Sequence, residues 1–270
     1  VRQLSDAGLP VRAMVRNARD AGTLAGQKVD LVEGNFDKPE TLDAALRGAD
    51  KAFLLTPVAE KFVEWQRTFI EAARRAGVKH LVKFSGMGAS ATAPAELLRM
   101  HAQTDEVLGG SGIPFTILRP NSFHQNILAS AGTIKAQGVF YLPLKHAAQS
   151  IVDIRDINAV AAKVLTTAGH EGKTYVITGP EALTFDQVAE KLSSVLGRRI
   201  QYVDVPPQAA ADGMRKSGMP EWSVRVVVEL LEYFASGAAA TATDSVPKVL
   251  GKPGISFEQF ARDFKPAFGG

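Results

Sequence analysis

The sequence predicts an α/β fold built on a doubly wound parallel sheet. Three observations carry this. Over the first 120 residues, short and nearly continuous apolar runs alternate with stretches of helical periodicity. Apolar runs of that kind belong to strands covered on both faces, as in a parallel sheet. Helix patterns between them are bounded by proline and glycine, so each crossover returns to the sheet, and right-handed crossovers put helices on both faces.

Taken in order, VRAMVR (11–16) reads as a strand with Val11, Ala13 and Val15 on one face, and VDLVEG (29–34) as the next. KPETLDAALRG follows as a helix, with Pro39 in its first turn and Gly48 past its end. KAFLLTP (51–57) is an apolar strand closed by Pro57. In EKFVEWQRTFIEAARRAG the apolar positions 62, 65, 69, 70, 73 and 76 keep helical spacing up to the stop at Gly77. KHLVKFSG (79–86) is a buried strand, PAELLRMHAQTDEVLGGSG a helix and PFTILRP (114–120) another strand. The second half is less regular. Residues 126–149, with Gly132, Gly138 and Pro143, read as a helix start and then loops. SIVDIRDINAVAAKVLTT runs from an extended piece into a helix capped by Asp153 or Asp156. KTYVITG (173–179) and RIQYVDVP are strands, and TFDQVAEKLSSVLG is a helix whose Thr184 and Gln187 form a capping box. EWSVRVVVELLEYFASG is an amphipathic helix, SGAAATATD (236–244) a loop, and SFEQFARDFKPAF a capped final helix.

Composition narrows the class. The 270 residues are 46% hydrophobic and 22% charged, enough for a well-buried core. The net charge of +3 comes from scattered basic residues, so no nucleic-acid face is expected. There is no cysteine, which excludes disulfides and thiol chemistry, and the five histidines are too far apart to suggest a metal by spacing. No apolar stretch has the length of a transmembrane span and no signal peptide is visible, so no membrane partner is expected.

Ligands of an open parallel sheet sit at the carboxyl ends of its strands. Those ends are Arg16-Asn17, Asn35-Phe36-Asp37, Thr56-Pro57, Ser85-Gly86-Met87 and Pro120-Asn121-Ser122-Phe123.

The segments VRAMVRN, VEGNFDKPETLDAALRGADKAFLLTP, AARRAGVKHLVKFSGMGAS, SGIPFTILRPNSFHQN and VDIRDINAVAAKVL, in this order, closely resemble the NmrA-like branch of the atypical short-chain dehydrogenase/reductases. Within it the resemblance is to NAD(P)H-dependent quinone, azo-dye and triphenylmethane-dye reductases, from Val1 to the C-terminus. It implies a Rossmann domain over residues 1–125 and 150–179 and a smaller, α-rich substrate lobe over 126–149 and 180–270. Members of the family begin with a strand and a GxxGxxG turn, whereas this chain starts inside the helix that follows them, so the first strand and glycine-rich loop are absent from it. One strand and one loop, about 15 residues, would complete the unit. In the order 3-2-1-4-5 that strand is central, and without it buried N–H and C=O groups on both neighbours are left unpaired. We therefore expect the sequence to be incomplete at its start, with an unobserved N-terminus or a real truncation as the alternatives.

Several residues could carry chemistry. Arg16 stands where NAD-selective domains place an Asp or Glu, and an arginine there can hold a 2′-phosphate, with Asn17 and Arg19 beside it; the plainer reading is a solvated arginine. By resemblance, Asn35, Phe36 and Asp37 lie against the adenine; Asp37 serves equally well as the N-cap of the next helix. Thr56 and Pro57 would lie under the ribose, or simply end the strand. The superfamily's Tyr-x-x-x-Lys occurs as Tyr141 to Lys145, but Pro143 and the nearby Gly138 exclude a regular helix, so this pair is rejected. His101 stands where relatives often carry Lys; it could hold a ribose hydroxyl or donate a proton, or have no role. Ser85, Gly86, Pro120 and Phe123 would line the nicotinamide half of an NADP(H) site. Met87, His124, Asn126, Tyr141 and Trp222 would meet the substrate, with Phe140, Met214 and Met219 near them; for each apolar one, core packing is the plain alternative. Without Tyr and Lys, oxidation of an alcohol lacks its base, while a conjugated acceptor needs only a positioned hydride. The expectation is an NADPH-dependent reductase of quinone-like or dye-like aromatic molecules, cytoplasmic, monomer or homodimer. The alternatives are an NAD(P)-sensing regulator without turnover, or a cofactor-free truncated variant.

Overall fold

The computed structural model describes residues 1–24 and 28–270. Its elements are α1 (Arg2–Asp6), β1 (Arg12–Val15), a 3-10 segment (Ala18–Leu24), β2 (Asp30–Glu33), α2 (Pro39–Leu46), β3 (Lys51–Leu54), α3 (Phe62–Arg75), β4 (His80–Phe84), α4 (Glu96–Gly109) and β5 (Phe115–Pro120). They continue with a 3-10 segment (His124–Ser130), α5 (Ala131–Gln137), β6 (Val139–Leu142), α6 (Ile154–Thr166), β7 (Lys173–Ile177), α7 (Phe185–Leu196) and β8 (Gln201–Asp204). Last come α8 (Pro207–Lys216), α9 (Glu221–Ala235), α10 (Ser245–Leu250), α11 (Phe257–Asp263) and a 3-10 turn (Lys265–Phe268). The chain forms two compact units: Val1–Ser85 with Ala102–Leu118 and Asn158–Thr174, and Gly86–His101 with Arg119–Ile157 and Tyr175–Gly270.

In the first unit β1 pairs in parallel with β2, Arg12 opposite Asp30 through Val15 opposite Glu33. β3 and β5 flank β4, both parallel to it. The larger sheet has the order β3-β4-β5-β7, and β1-β2 is a separate two-stranded sheet. Residues His80 to Lys83 of β4 are all buried, which is how a strand covered on both faces should look. α3 turns Phe62, Phe69, Ile70 and Ala73 inward, as its periodicity predicts, buries Ala72 as well, and ends before Gly77 at φ +71. Most of these residues join Leu42, Leu54, Leu81, Leu108 and Ile117 in one core.

The second unit has its own core, built from Ile127, Ile134, Phe140, Leu192, Phe257, Phe260 and Phe268 among others. β6 and β8 pair in parallel beside it. The capping box of α7 is present: Gln187 N–H donates to Thr184 Oγ1 at 3.2 Å, and Thr184 N–H donates to Gln187 Oε1 at 3.0 Å. Asp153 rather than Asp156 caps α6, its Oδ1 accepting the Arg155 N–H at 2.8 Å.

Three elements differ from expectation. Residues 139–142, which read as loop, form β6, because Val-Phe-Tyr-Leu finds a partner far along the chain in β8. α8 and α10 carry no clear signal in the sequence; prolines stand in their first turns, where a helix tolerates them. Tyr141 lies on β6 and Lys145 has φ 51, so these two share no helix. Among the described residues no helix is long and apolar enough to cross a membrane, and no cluster of three or more His, Asp or Glu could hold a metal.

Candidate functional site

Within the first unit the strand ends present a graded set of groups. Arg16 is exposed immediately after β1, and Asn17 turns the chain by accepting the Arg19 N–H on its Oδ1 at 2.9 Å. After β2, Asn35 makes the same kind of turn, accepting the Asp37 N–H at 3.0 Å, while its own N–H donates to Thr41 Oγ1 at 2.9 Å. Phe36 is half-buried, stacked on Trp65 with centroids 6.1 Å apart and tilted against Phe69 at 6.0 Å. Its ring is held from behind by α3. Asp37 is not the cap of α2: that position is Lys38, without a side-chain bond. Asp37 Oδ1 instead accepts from Lys61 Nζ at 2.8 Å and from Trp65 Nε1 at 3.0 Å. Those two hydrogen bonds, Lys61 first, hold the carboxyl below its usual range, and the Asp37 bond raises Lys61 in turn. Thr56 is buried and accepts from Gln66 Nε2 at 2.9 Å, while Pro57 is exposed.

Ser85 follows β4 fully buried, and its hydroxyl donates inward to Asp105 Oδ2 at 2.9 Å. Asp105 also meets Lys83 Nζ at 2.7 Å, with both side chains almost wholly enclosed. Sequence reasoning misses Lys83 and Asp105. The one available signal is a lysine in the middle of an apolar strand, since such a residue is seldom buried unless paired.

In the second unit Met87 N–H donates to the carbonyl of buried Pro120 at 2.9 Å. Gly86 lies against the His101 ring: a Cβ there would stand 3.4 Å from His101 Cδ2 and 3.3 Å from Leu98 Cδ2. His101, on α4, is 8% exposed. Phe123 is half-buried and bridged to Val152. His124 lies in the core, edge-on to Phe257 at 5.4 Å and tilted against Phe260 at 5.4 Å, with Nδ1 3.8 Å from Asp153 Oδ2. Asp153 is enclosed, and burial alone would push its carboxyl up. Hydrogen bonds from Arg155 and Gln125 outweigh burial and hold it well below the usual range. Asn126 is exposed and donates to Ser122 Oγ at 3.1 Å. Tyr141 is exposed on β6. Trp222, at the start of α9, donates from Nε1 to Glu96 Oε1 at 3.3 Å. Glu96 also binds Arg225, and its own N–H donates to Glu229 Oε2 at 2.7 Å. The start of α4 is thereby fastened by α9, whose Trp222 the sequence marks only as a substrate contact.

The donor set of the first unit fits a nucleotide with an extra phosphate. An exposed guanidinium follows β1 where a carboxylate would repel that phosphate, and a rigidly backed aromatic ring follows β2.

Residues 1–250 match the model of the NmrA-like family. An NAD(P)H azoreductase of Xenophilus azovorans is 39% identical over 269 residues, spanning 100% of this chain and 94% of that protein. The crystal structure of an NADPH-dependent quinone oxidoreductase of Escherichia coli, complexed with NADPH, aligns with TM-score 0.88 at 27% identity over 98% of this chain and 94% of that one. Triphenylmethane reductase of Citrobacter sp., complexed with NADP(H), aligns with TM-score 0.86 at 26% identity over 97% and 94%. With a family match over most of its length and strand ends bearing the groups just described, the chain belongs to the NmrA-like family.

Proposed function

We propose that this protein is an NADPH-dependent reductase that passes hydride to conjugated acceptors of the quinone or dye type. The carrying observation is its likeness, across the whole chain, to an azoreductase. The cofactor supplies the hydride; the protein binds, orients and excludes water. In the first unit, Arg16 and Asn17 take the 2′-phosphate, Phe36 backs the adenine between Asn35 and Asp37, and Thr56, Pro57 and the backbone at Ser85 follow the ribose. Gly86, Pro120 and Phe123 serve the nicotinamide end, with His101 holding a ribose hydroxyl or a proton. Met87, Asn126, Tyr141 and Trp222 serve a flat acceptor. His124, buried between phenylalanines, supports that surface from within. We assign nucleotide binding to residues 1–125 and 150–179 and acceptor binding to the remainder, in a cytoplasmic monomer or homodimer.

The test is NADPH consumption with a panel of quinones, azo dyes and triphenylmethane dyes, beside fluorescence titration with NADPH and NADH. Turnover of at least one acceptor class is expected. Tight NADPH binding with no turnover of any acceptor would make the protein a dinucleotide sensor. Binding of neither nucleotide would make it a cofactor-free fold.

A further inference from the structure

The turn after β4 makes a second side-chain contact. Gly88 has φ +83, and a Cβ placed on it would overlap the Tyr233 hydroxyl, with Cζ 2.8 Å away. Tyr233 lies on α9. Its half-buried ring packs beside Phe234, 5.8 Å between centroids, and against the cluster of Ala93, Ala95 and Leu98. The phenol end therefore rests on a bare backbone position two residues beyond Gly86, which touches the His101 ring. Both glycines admit a side chain with a transferable proton.

The two groups differ. His101 is nearly enclosed at 8% exposure, whereas Tyr233 keeps part of its surface open. Among the described residues the Tyr233 hydroxyl has no hydrogen-bond partner, although a half-buried phenol ordinarily finds one. Burial raises its ionisation above the ordinary phenol range, so it remains a donor at neutral pH.

Resting on the reductase reading above, we propose that Tyr233 supplies the proton that quinone and azo acceptors need and dye cations do not. A quinone takes a hydride from the reduced nicotinamide and becomes a hydroquinone monoanion. The Tyr233 O–H bond breaks as a new O–H bond forms on the acceptor oxygen, and the tyrosinate then takes a proton from water. An azo group closes in the same way, the proton going to the second nitrogen. A triphenylmethane dye is already a carbocation. Hydride forms a C–H bond at its central carbon, the product is neutral, and no proton is called for.

This difference supplies the test. Wild type and Tyr233→Phe are assayed with a para-quinone and with a triphenylmethane dye cation, both with NADPH, and NADPH affinity is titrated by fluorescence. Loss of a general acid lowers the quinone kcat by about 100-fold or more. Dye-cation turnover and NADPH affinity stay within about twofold, which also reports an intact fold, since a donor used only in the transition state affects kcat and not binding. Imidazolium buffer should restore part of the variant's quinone rate and leave wild type unchanged. That rescue decides the matter if wild type turns over the quinone alone. Equal losses with both acceptors, an unchanged quinone rate, or a lost rate without rescue would overturn the assignment. If wild type binds NADPH and reduces nothing, the reductase reading fails first and takes this proposal with it.

Discussion

Arg16 owes its interest to its place rather than its partners. It is exposed at the end of β1, where a 2′-phosphate would draw on its planar fork of donors. Arg16→Ala should weaken NADPH binding by about 1.5–3 kcal/mol, the worth of hydrogen bonds to a charged group, and leave NADH almost unchanged. Parallel titrations check this, and equal losses for both nucleotides would remove Arg16 from selectivity. Asp153 is the opposite case, an enclosed carboxylate under several donors. Its folded pKa lies below the unfolded value of about 3.9, so its contribution is complete above about pH 4 and disappears as the pH falls toward the lower folded value. Asp153→Asn should cost about 2 kcal/mol at pH 7, since Arg155 is partly exposed and screened. It should also flatten the acid limb of a urea-denaturation series measured from pH 6 to pH 2. An unaltered acid limb would mean that other carboxylates carry the acid sensitivity. Residues at strand ends are readable in advance because the fold class alone puts ligands there. His124 reads from sequence as a substrate-lining residue; its burial against Phe257 and Phe260 is not legible, because nothing in its local run shows those rings arriving from a remote helix.

Helix ends and apolar spacing make most elements legible. Thr184, three residues before Gln187 and at the head of an apolar helix, is a local device that works wherever it occurs. Thr184→Ala should cost about 1 kcal/mol in thermal denaturation, with the loss centred on α7 in amide exchange. β6 is less legible because the short run between Gly138 and Pro143 gains a strand only by pairing with β8. The Lys83–Asp105 pair ties β4 to α4 inside the first unit. Removing one member strands a charge in the core, so Lys83→Met should cost about 3–5 kcal/mol, whereas Lys83→Met with Asp105→Leu should recover most of it. Urea unfolding of the single and double variants measures the difference; a double variant as weak as the single one would show that Asp105 matters mainly through Ser85.

Each of the two units has a core of its own. A ligand that binds only the folded chain adds stability by mass action, about 2.7 kcal/mol at a hundred times its Kd. NADPH at that excess should raise the melting temperature by several degrees, and NADH at the same concentration by clearly less. No shift with either nucleotide would contradict cofactor binding altogether. At this scale family membership is readable from the order of several segments along the chain. The fastening of α4 by α9 is not, because Glu96 and Glu229 are remote in sequence and ordinary in type. That fastening bears on anyone who tries to widen the acceptor range by directed evolution. Trimming Trp222 to make room would also release Glu96, loosening the turn of helix that leads to His101. Scope and alignment would then drift together under selection, and variants accepting bulkier dyes should surface already slowed, needing a compensating change near Arg225 before they become useful catalysts.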